Sequence, residues 1–420
     1  MKNRRKLFLT LIFALPLVII FSQCLTSGTS KPDPRGEIFA GSATCMKCHK
    51  DVYDNYIHTA HFTSTRPTAE NTMYGDFHTG SNTFYFKDSK VVMEKRNGDL
   101  YQVSYKNGKE VEARKFDITF GNTKAESYLY WKGNGLFQLP MSYFKALHSW
   151  TNSPGFDTIH ADFNRGIGRR CLECHASYIK PLPANTTSLN QPVLFDKSSL
   201  IMGVDCERCH GPAADHVNFH TMYPEVKQAK YIKTYASLTR AQKMDMCATC
   251  HSGNAGHMLK SIFAFKPGNK LADFKEITFS HQVVDSAKLD VHGNQAQLLS
   301  SSKCFMYSKM DCATCHNVHK SEKQLNLAMY SQKCMSCHST TTHNEYKLTP
   351  QLGGMIKNNC IDCHMPARSS HVIAVQTSRG GRAVPYLVRT HHIAVYTDAS
   401  QKVLAYLKKS YKQSNDKNNK

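Results

Sequence analysis

The sequence predicts a mainly α-helical and irregular fold with little conventional hydrophobic core, interrupted by one small antiparallel β-meander. Three observations lead there. Only 41% of the 420 residues are hydrophobic and the mean hydropathy is −0.45, so a chain long enough for two or three domains brings little apolar mass of its own. One short pattern of cysteine and histidine recurs along most of its length. A single stretch, residues 82–143, turns instead to the alternation expected of strands.

The recurring pattern is C-x-x-C-H. It occurs seven times: Cys45, Cys48 and His49 (motif 1), Cys171, Cys174 and His175 (motif 2), Cys206, Cys209 and His210 (motif 3), Cys247, Cys250 and His251 (motif 4), Cys312, Cys315 and His316 (motif 5), Cys334, Cys337 and His338 (motif 6), and Cys360, Cys363 and His364 (motif 7). With 22 histidines in 420 residues, a histidine after each of seven such pairs arises by accident about once in a billion. Structural zinc or a redox dithiol leaves that histidine unexplained. Covalent haem attachment explains it, because two thiols three positions apart can add to the vinyl groups on one porphyrin edge while the next imidazole lies under the iron. The expected cofactors are seven covalently bound c-type haems, and the core is expected to be organised by them.

Taken in chain order, residues 1–23 have a basic start and an apolar run from Leu7 to Phe21 broken by Pro16. That is the pattern of an export signal rather than a spanning helix, which needs about 20 apolar residues. Export also suits haem attachment, which takes place outside the cytoplasmic membrane of bacteria. The expected location is the periplasmic side or outer membrane of a bacterium. Cys24 closes the run ahead of a Ser/Thr/Gly/Pro-containing tether, residues 24–37, and is a candidate site for a lipid anchor to the membrane; simple cleavage and an uncleaved anchor are the alternatives.

Residues 38–79 carry motif 1. The meander is expected over residues 80–145, where Asn97-Gly98 and Asn107-Gly108 separate apolar runs as two-residue hairpin turns do. Motifs 2–4 occupy 146–260, a linker 261–303, motifs 5–7 residues 304–372, and a C-terminal segment 373–420 follows, in which a short helix beginning at Gln401 gives way to a disordered tail. Cys304 is left over as a buried free thiol. The last three motifs fall so close together that haems attached there cannot avoid one another.

A formal charge of +21 ordinarily raises nucleic acid. Lysine and arginine are dispersed, however, no nucleic-acid motif accompanies them, and seven haems bring about 14 propionate charges that offset much of the excess. Nucleic acid is therefore excluded as a partner.

Low-spin haem iron takes a second axial ligand, and 15 histidines lie outside the motifs. His61, His216, His292, His319 and His391 are the leading candidates; His148, His160, His257, His343 and His371 are alternatives. His319, three residues past His316, cannot reach round to its own iron but can swing onto a neighbour. Met365 is read as packing.

Gly41 to Cys45 with a Tyr-containing helix running to His61, CERCHGPAADH (206–216), DVHGNQ (290–295), CATCHNVH (312–319), CIDCHMP (360–366) and RTHHIAVY (389–396) together resemble the multihaem cytochromes of the cytochrome c-554 type. These are related to the pentahaem nitrite reductases and octahaem hydroxylamine oxidoreductases. The resemblance implies a multihaem cytochrome c fold and an electron carrier with a redox protein donor and acceptor. It also supports His61, His216, His292, His319 and His391 as distal ligands. The chain lacks the C-x-x-C-K that marks the open iron of the nitrite reductases and has seven motifs rather than eight. Both departures favour a carrier over a catalyst; no catalytic residue is assigned. The alternative is an oxidoreductase acting on a small nitrogen or sulfur compound at one open haem.

Overall fold

The computed structural model describes residues 32–183, 192–253, 256–276, 289–321, 326–340 and 352–418. Cys24, His281 and His343 lie outside them.

The strand-rich part is built first. β2 (Thr83–Tyr85), β3 (Lys90–Arg96), β4 (Asp99–Lys106) and β5 (Lys109–Lys115) follow one another in an antiparallel sheet of order β2-β3-β4-β5. The turns are those the sequence specifies. Asn97 and Gly98 have φ of 51° and 83°, Asn107 and Gly108 of 53° and 77°, the positive values that a two-residue hairpin matching the strand twist requires.

The meander is only half of the arrangement. β1 (Thr65–Pro67), β6 (Ile118–Phe120), β7 (Ala125–Lys132), β9 (Met141–Phe144) and β10 (Ser149–Asn152) form a second antiparallel sheet, with β8 (Gly135–Gln138) paired to β7. Gln102 of β4 is fully buried; its side-chain amide donates to the Met141 carbonyl at 2.8 Å and its carbonyl accepts from the Met141 amide at 3.0 Å. This polar clamp ties the two sheets. Around it pack Phe84, Val91, Met93, Phe116, Tyr128, Tyr130, Leu139, Met141 and Trp150, the largest apolar cluster. A second cluster, including Ile118, Leu129, Leu136, Leu172, Ile179 and Phe195, joins this unit to the helix of motif 2.

Between residue 152 and the C-terminal helix the helices are short, and apart from the cluster shared with the β unit the apolar clusters are small. Strands recur even there, as the hairpins β11 (Ala176–Pro181) with β12 (Phe195–Met202) and β13 (Ala367–Val375) with β14 (Val384–Arg389). The expectation of a mainly α fold with one small meander is therefore corrected to a mixed one: a two-sheet β unit followed by short helices and hairpins. The C-terminal helix runs over Thr397–Asn418, longer than the short one expected. Within the expected linker, Ile262, Leu271 and Leu298 are buried, so its described parts pack. No helix among the described residues is long and apolar enough to cross a membrane.

Candidate metal centres

Most motifs begin or end a helical turn. Helices Arg169–His175, Cys206–His210, Arg240–His251 and Cys360–His364 each hold a full motif. One turn of helix sets cysteines three positions apart on one face, which is what double attachment to one porphyrin edge needs. The starts are capped locally. Asp205 accepts from the Arg208 amide, and Thr239 and Gln242 form a reciprocal capping box.

The histidine and at least one cysteine of every motif line one continuous, mostly apolar cavity of about 3820 Å³. Divided among seven motifs this is about 550 Å³ each, within the roughly 300–1,000 Å³ of a cofactor pocket. Its lining, mostly apolar with one histidine from each motif, fits a large apolar cofactor.

Across it, imidazoles face each other in pairs. His49 and His216 have ring centroids 6.3 Å apart, His210 and His319 6.1 Å, His316 and His391 6.1 Å, and His61 and His251 6.1 Å. A metal–imidazole bond of about 2.0 Å, with the ring centre about 1.1 Å behind the nitrogen, puts two axial imidazoles about 6.2 Å apart. The residues thus fit an iron between each pair. The interplanar angles are 14°, 10° and 24° for the first three pairs and 80° for His61–His251.

Three of the outer ring nitrogens are held by the chain, whereas His391 Nδ1 is buried without a hydrogen-bond partner. His216 Nδ1 sits 2.7 Å from the Lys230 carbonyl, His364 Nδ1 2.9 Å from that of Ala394 and His251 Nδ1 3.3 Å from Gln295 Oε1, which leaves Nε2 to face inward. Burial, with a second imidazole opposite, pushes His61 and His391 down to about 4, so both are neutral at physiological pH, the ligating form.

His292 lines the cavity and its ring contact is with Tyr386. His175 stacks on Phe120 at 4.8 Å and 10°, and its Nδ1 is buried without a hydrogen-bond partner. Burial lowers its basicity, with His292 among the nearby groups that add to the effect. His148, His160, His257 and His371 are exposed and off the cavity wall. Sequence reading passed over His220, whose Nε2 is buried and unpartnered, with its ring 4.6 Å from that of His216. It also passed over Phe120, whose strand position carries no local sign of this role. Cys304 is a half-buried free thiol.

The sulfurs also meet across motifs. Cys45 lies within hydrogen-bonding reach of Cys206, Cys174 of Cys250, Cys247 of Cys312 and Cys334 of Cys360. Cys209 is close enough to Cys250, and Cys315 to Cys334, for each pair to interact electrostatically.

Residues 141–211 match the family model described as cytochrome c554 and c-prime. The multiheme cytochrome MtrA of Shewanella baltica (strain OS185) is 25% identical over 179 residues, covering 40% of this chain and 52% of that protein; the chain spans about half the length of this curated relative. The crystal structure of the outer cell wall cytochrome OcwA superposes with a TM-score of 0.50 at 15% identity, over 87% of this chain and 81% of that one, a likeness of fold. Together with the seven C-x-x-C-H motifs, these likenesses support a multihaem c-type cytochrome.

Proposed function

We propose that the protein is an exported heptahaem electron carrier. Each of the seven motifs binds one haem by two thioethers, with His49, His175, His210, His251, His316, His338 and His364 as proximal ligands. His216, His319, His61 and His391 close the irons of motifs 1, 3, 4 and 5, and His292 is assigned as a further distal ligand. Bound haem supplies reversible one-electron chemistry; the chain fixes ligands, spacing and surroundings. The carrying observation is the four imidazole pairs spaced for one iron each, since an iron with two histidines has no vacant position for substrate.

The sulfur contacts supply an order. They link motifs 1–3–4–5–6–7 into one row, with motif 2 branching at motif 4. A donor and an acceptor protein can then meet at different ends. Export, suggested by the N-terminal signal pattern, agrees with the outer cell wall location of OcwA, and Cys24 is the proposed lipid attachment point.

One observation favours the second reading, an oxidoreductase of a small nitrogen or sulfur compound. It is Phe120, rather than an imidazole, that stacks on His175. Mass spectrometry and absorption spectroscopy of the mature protein test both readings. Seven added groups of about 616 Da and purely low-spin spectra unmoved by nitrite, hydroxylamine or nitric oxide support the carrier. A bare polypeptide mass refutes both, and a high-spin iron shifted by those ligands replaces the first reading with the second.

A further inference from the structure

Two buried charge clusters of opposite sign sit against two different sulfur contacts. At the first, Arg35 meets three carboxylates: Asp33 at 2.8 Å, Asp205 at 2.9 Å and Glu207 at 2.9 Å. The Glu207 side chain is 1% exposed. It also accepts the backbone amides of Ala40, Gly41 and Ala213, all at 2.9 Å. Among the described residues no second cation pairs with these three carboxylates, so the cluster carries two uncompensated negative charges. Asp205 and Glu207 flank Cys206 in sequence, and both bear electrostatically on Cys45. The site is the contact of motifs 1 and 3.

At the second, the sign reverses. Lys275 is 3% exposed, and its ammonium donates to the Ser252 carbonyl at 3.1 Å, the Ser252 hydroxyl at 3.2 Å and the Gly253 carbonyl at 2.6 Å. It stands at the C-terminus of the helix that carries motif 4, with no carboxylate partner among the described residues. Arg170 donates to the Thr249 carbonyl at 3.2 Å, and Arg208 to those of Ile262 at 2.6 Å and Glu173 at 3.0 Å. Both guanidinium groups bear on Cys174. The one buried carboxylate here, Glu173, pairs with Arg169 at 3.3 Å and Arg170 at 3.8 Å and accepts from the Ser261 hydroxyl. Arg169 is 45% exposed and counts for little; Lys275, Arg170 and Arg208 against Glu173 leave the contact of motifs 2 and 4 positive, although Arg208, itself within motif 3, acts on Cys209 as well.

A buried negative charge favours ferric iron and a buried positive charge favours ferrous iron, and low dielectric makes the preference large. Haem propionates do not remove the contrast, because every haem brings the same pair. We propose that these buried charges set a direction along the first part of the row, from motif 1 to the branch at motif 4: the motif 1–3 pair is the low-potential side, the motif 2–4 pair is the sink, and Glu207 and Lys275 are the residues that hold the two apart. The transfer is of one electron between neighbouring sites, with no bond made or broken and no proton required. The inference rests on the electron-carrier reading.

The test is a spectroelectrochemical titration of the haem-loaded protein, wild type against Glu207→Gln and Lys275→Met, followed by electron paramagnetic resonance. The perpendicular His61–His251 pair marks motif 4 by its more anisotropic signal, so the two sites are read separately. In the wild type, the motif 4 signal is expected to be lost, by reduction, at a higher potential than the motif 1–3 components. Glu207→Gln should raise the motif 1–3 components by a tenfold change in the ferric/ferrous ratio, 59 mV for one electron, and leave motif 4 in place. Lys275→Met should move motif 4 the opposite way. Asp33→Asn, at the rim of the first cluster, repeats the first arm with less risk to folding. Shifts of the same sign, or of less than twofold in that ratio, overturn the proposal. Because the haem count by mass is measured on the same samples, loss of the carrier reading itself is distinguished from loss of the gradient.

Discussion

Replacing His61 by alanine removes the one perpendicular imidazole pair among the four that face each other. The others lie within 10–24° of parallel, His61 and His251 at 80°. Parallel axial planes split the two iron dπ orbitals, whereas perpendicular planes leave them nearly degenerate, so motif 4 should give a strongly anisotropic low-spin resonance and the other three pairs rhombic ones. The centroid gap of 6.1 Å leaves no room for another side chain between ring and iron, so His61→Ala opens one axial position. The expected result is loss of the anisotropic signal, a new high-spin signal worth one iron in seven, and uptake of one extra carbon monoxide per molecule on reduction. His78→Ala, at a side chain 94% exposed, serves as the control and should change none of these. An unchanged anisotropic signal, or loss of a rhombic one instead, refutes the assignment of His61 to motif 4.

Other perturbations reach the scaffold. Gln102→Ala strands the buried Met141 amide and carbonyl and should cost roughly 3 kcal/mol, seen as a lower thermal midpoint without a change in haem spectrum. Gly203→Ala places a Cβ against the Phe62 carbonyl at φ +68°; beside it Val204 donates to the His61 carbonyl at 2.9 Å, so this variant should lose stability and also disturb the anisotropic resonance. Asp76 accepts from the Ser81 hydroxyl and the His78 amide, which hold it down to about 2. Its folded value lies below its unfolded one, so its contribution is complete above about pH 4 and is lost as pH falls toward 2. Acid unfolding of Asp76→Asn should therefore be less pH-dependent in that window.

How much of this could be read from the sequence depends on how local the signal was. Asn97-Gly98 and Asn107-Gly108 fix their turns by backbone conformation alone, so the β2–β5 meander was legible. The second sheet was not, because β1 at Thr65–Pro67 pairs with β6 at Ile118–Phe120 and nothing in either segment names the other. The motifs were legible as chemistry, since covalent attachment demands fixed spacing. Pairing was not: His316 and His391 are 75 positions apart, and which imidazole faces which is decided by tertiary packing. Phe120 and Lys275 left no trace at all, since an aromatic in a strand and a lysine in a loop are ordinary until their neighbours are known.

The meeting of Cys45 with Cys206, 161 positions later in the chain, has a consequence for biogenesis. Both sulfurs are half-buried in the finished fold and held within reach of each other. With haem attached at both motifs as proposed, loading precedes the closure that brings the two sulfurs together, and the chain stays open there until both groups are in place. The order of manufacture is built into the architecture: a molecule that collapses early is a molecule that can never be completed.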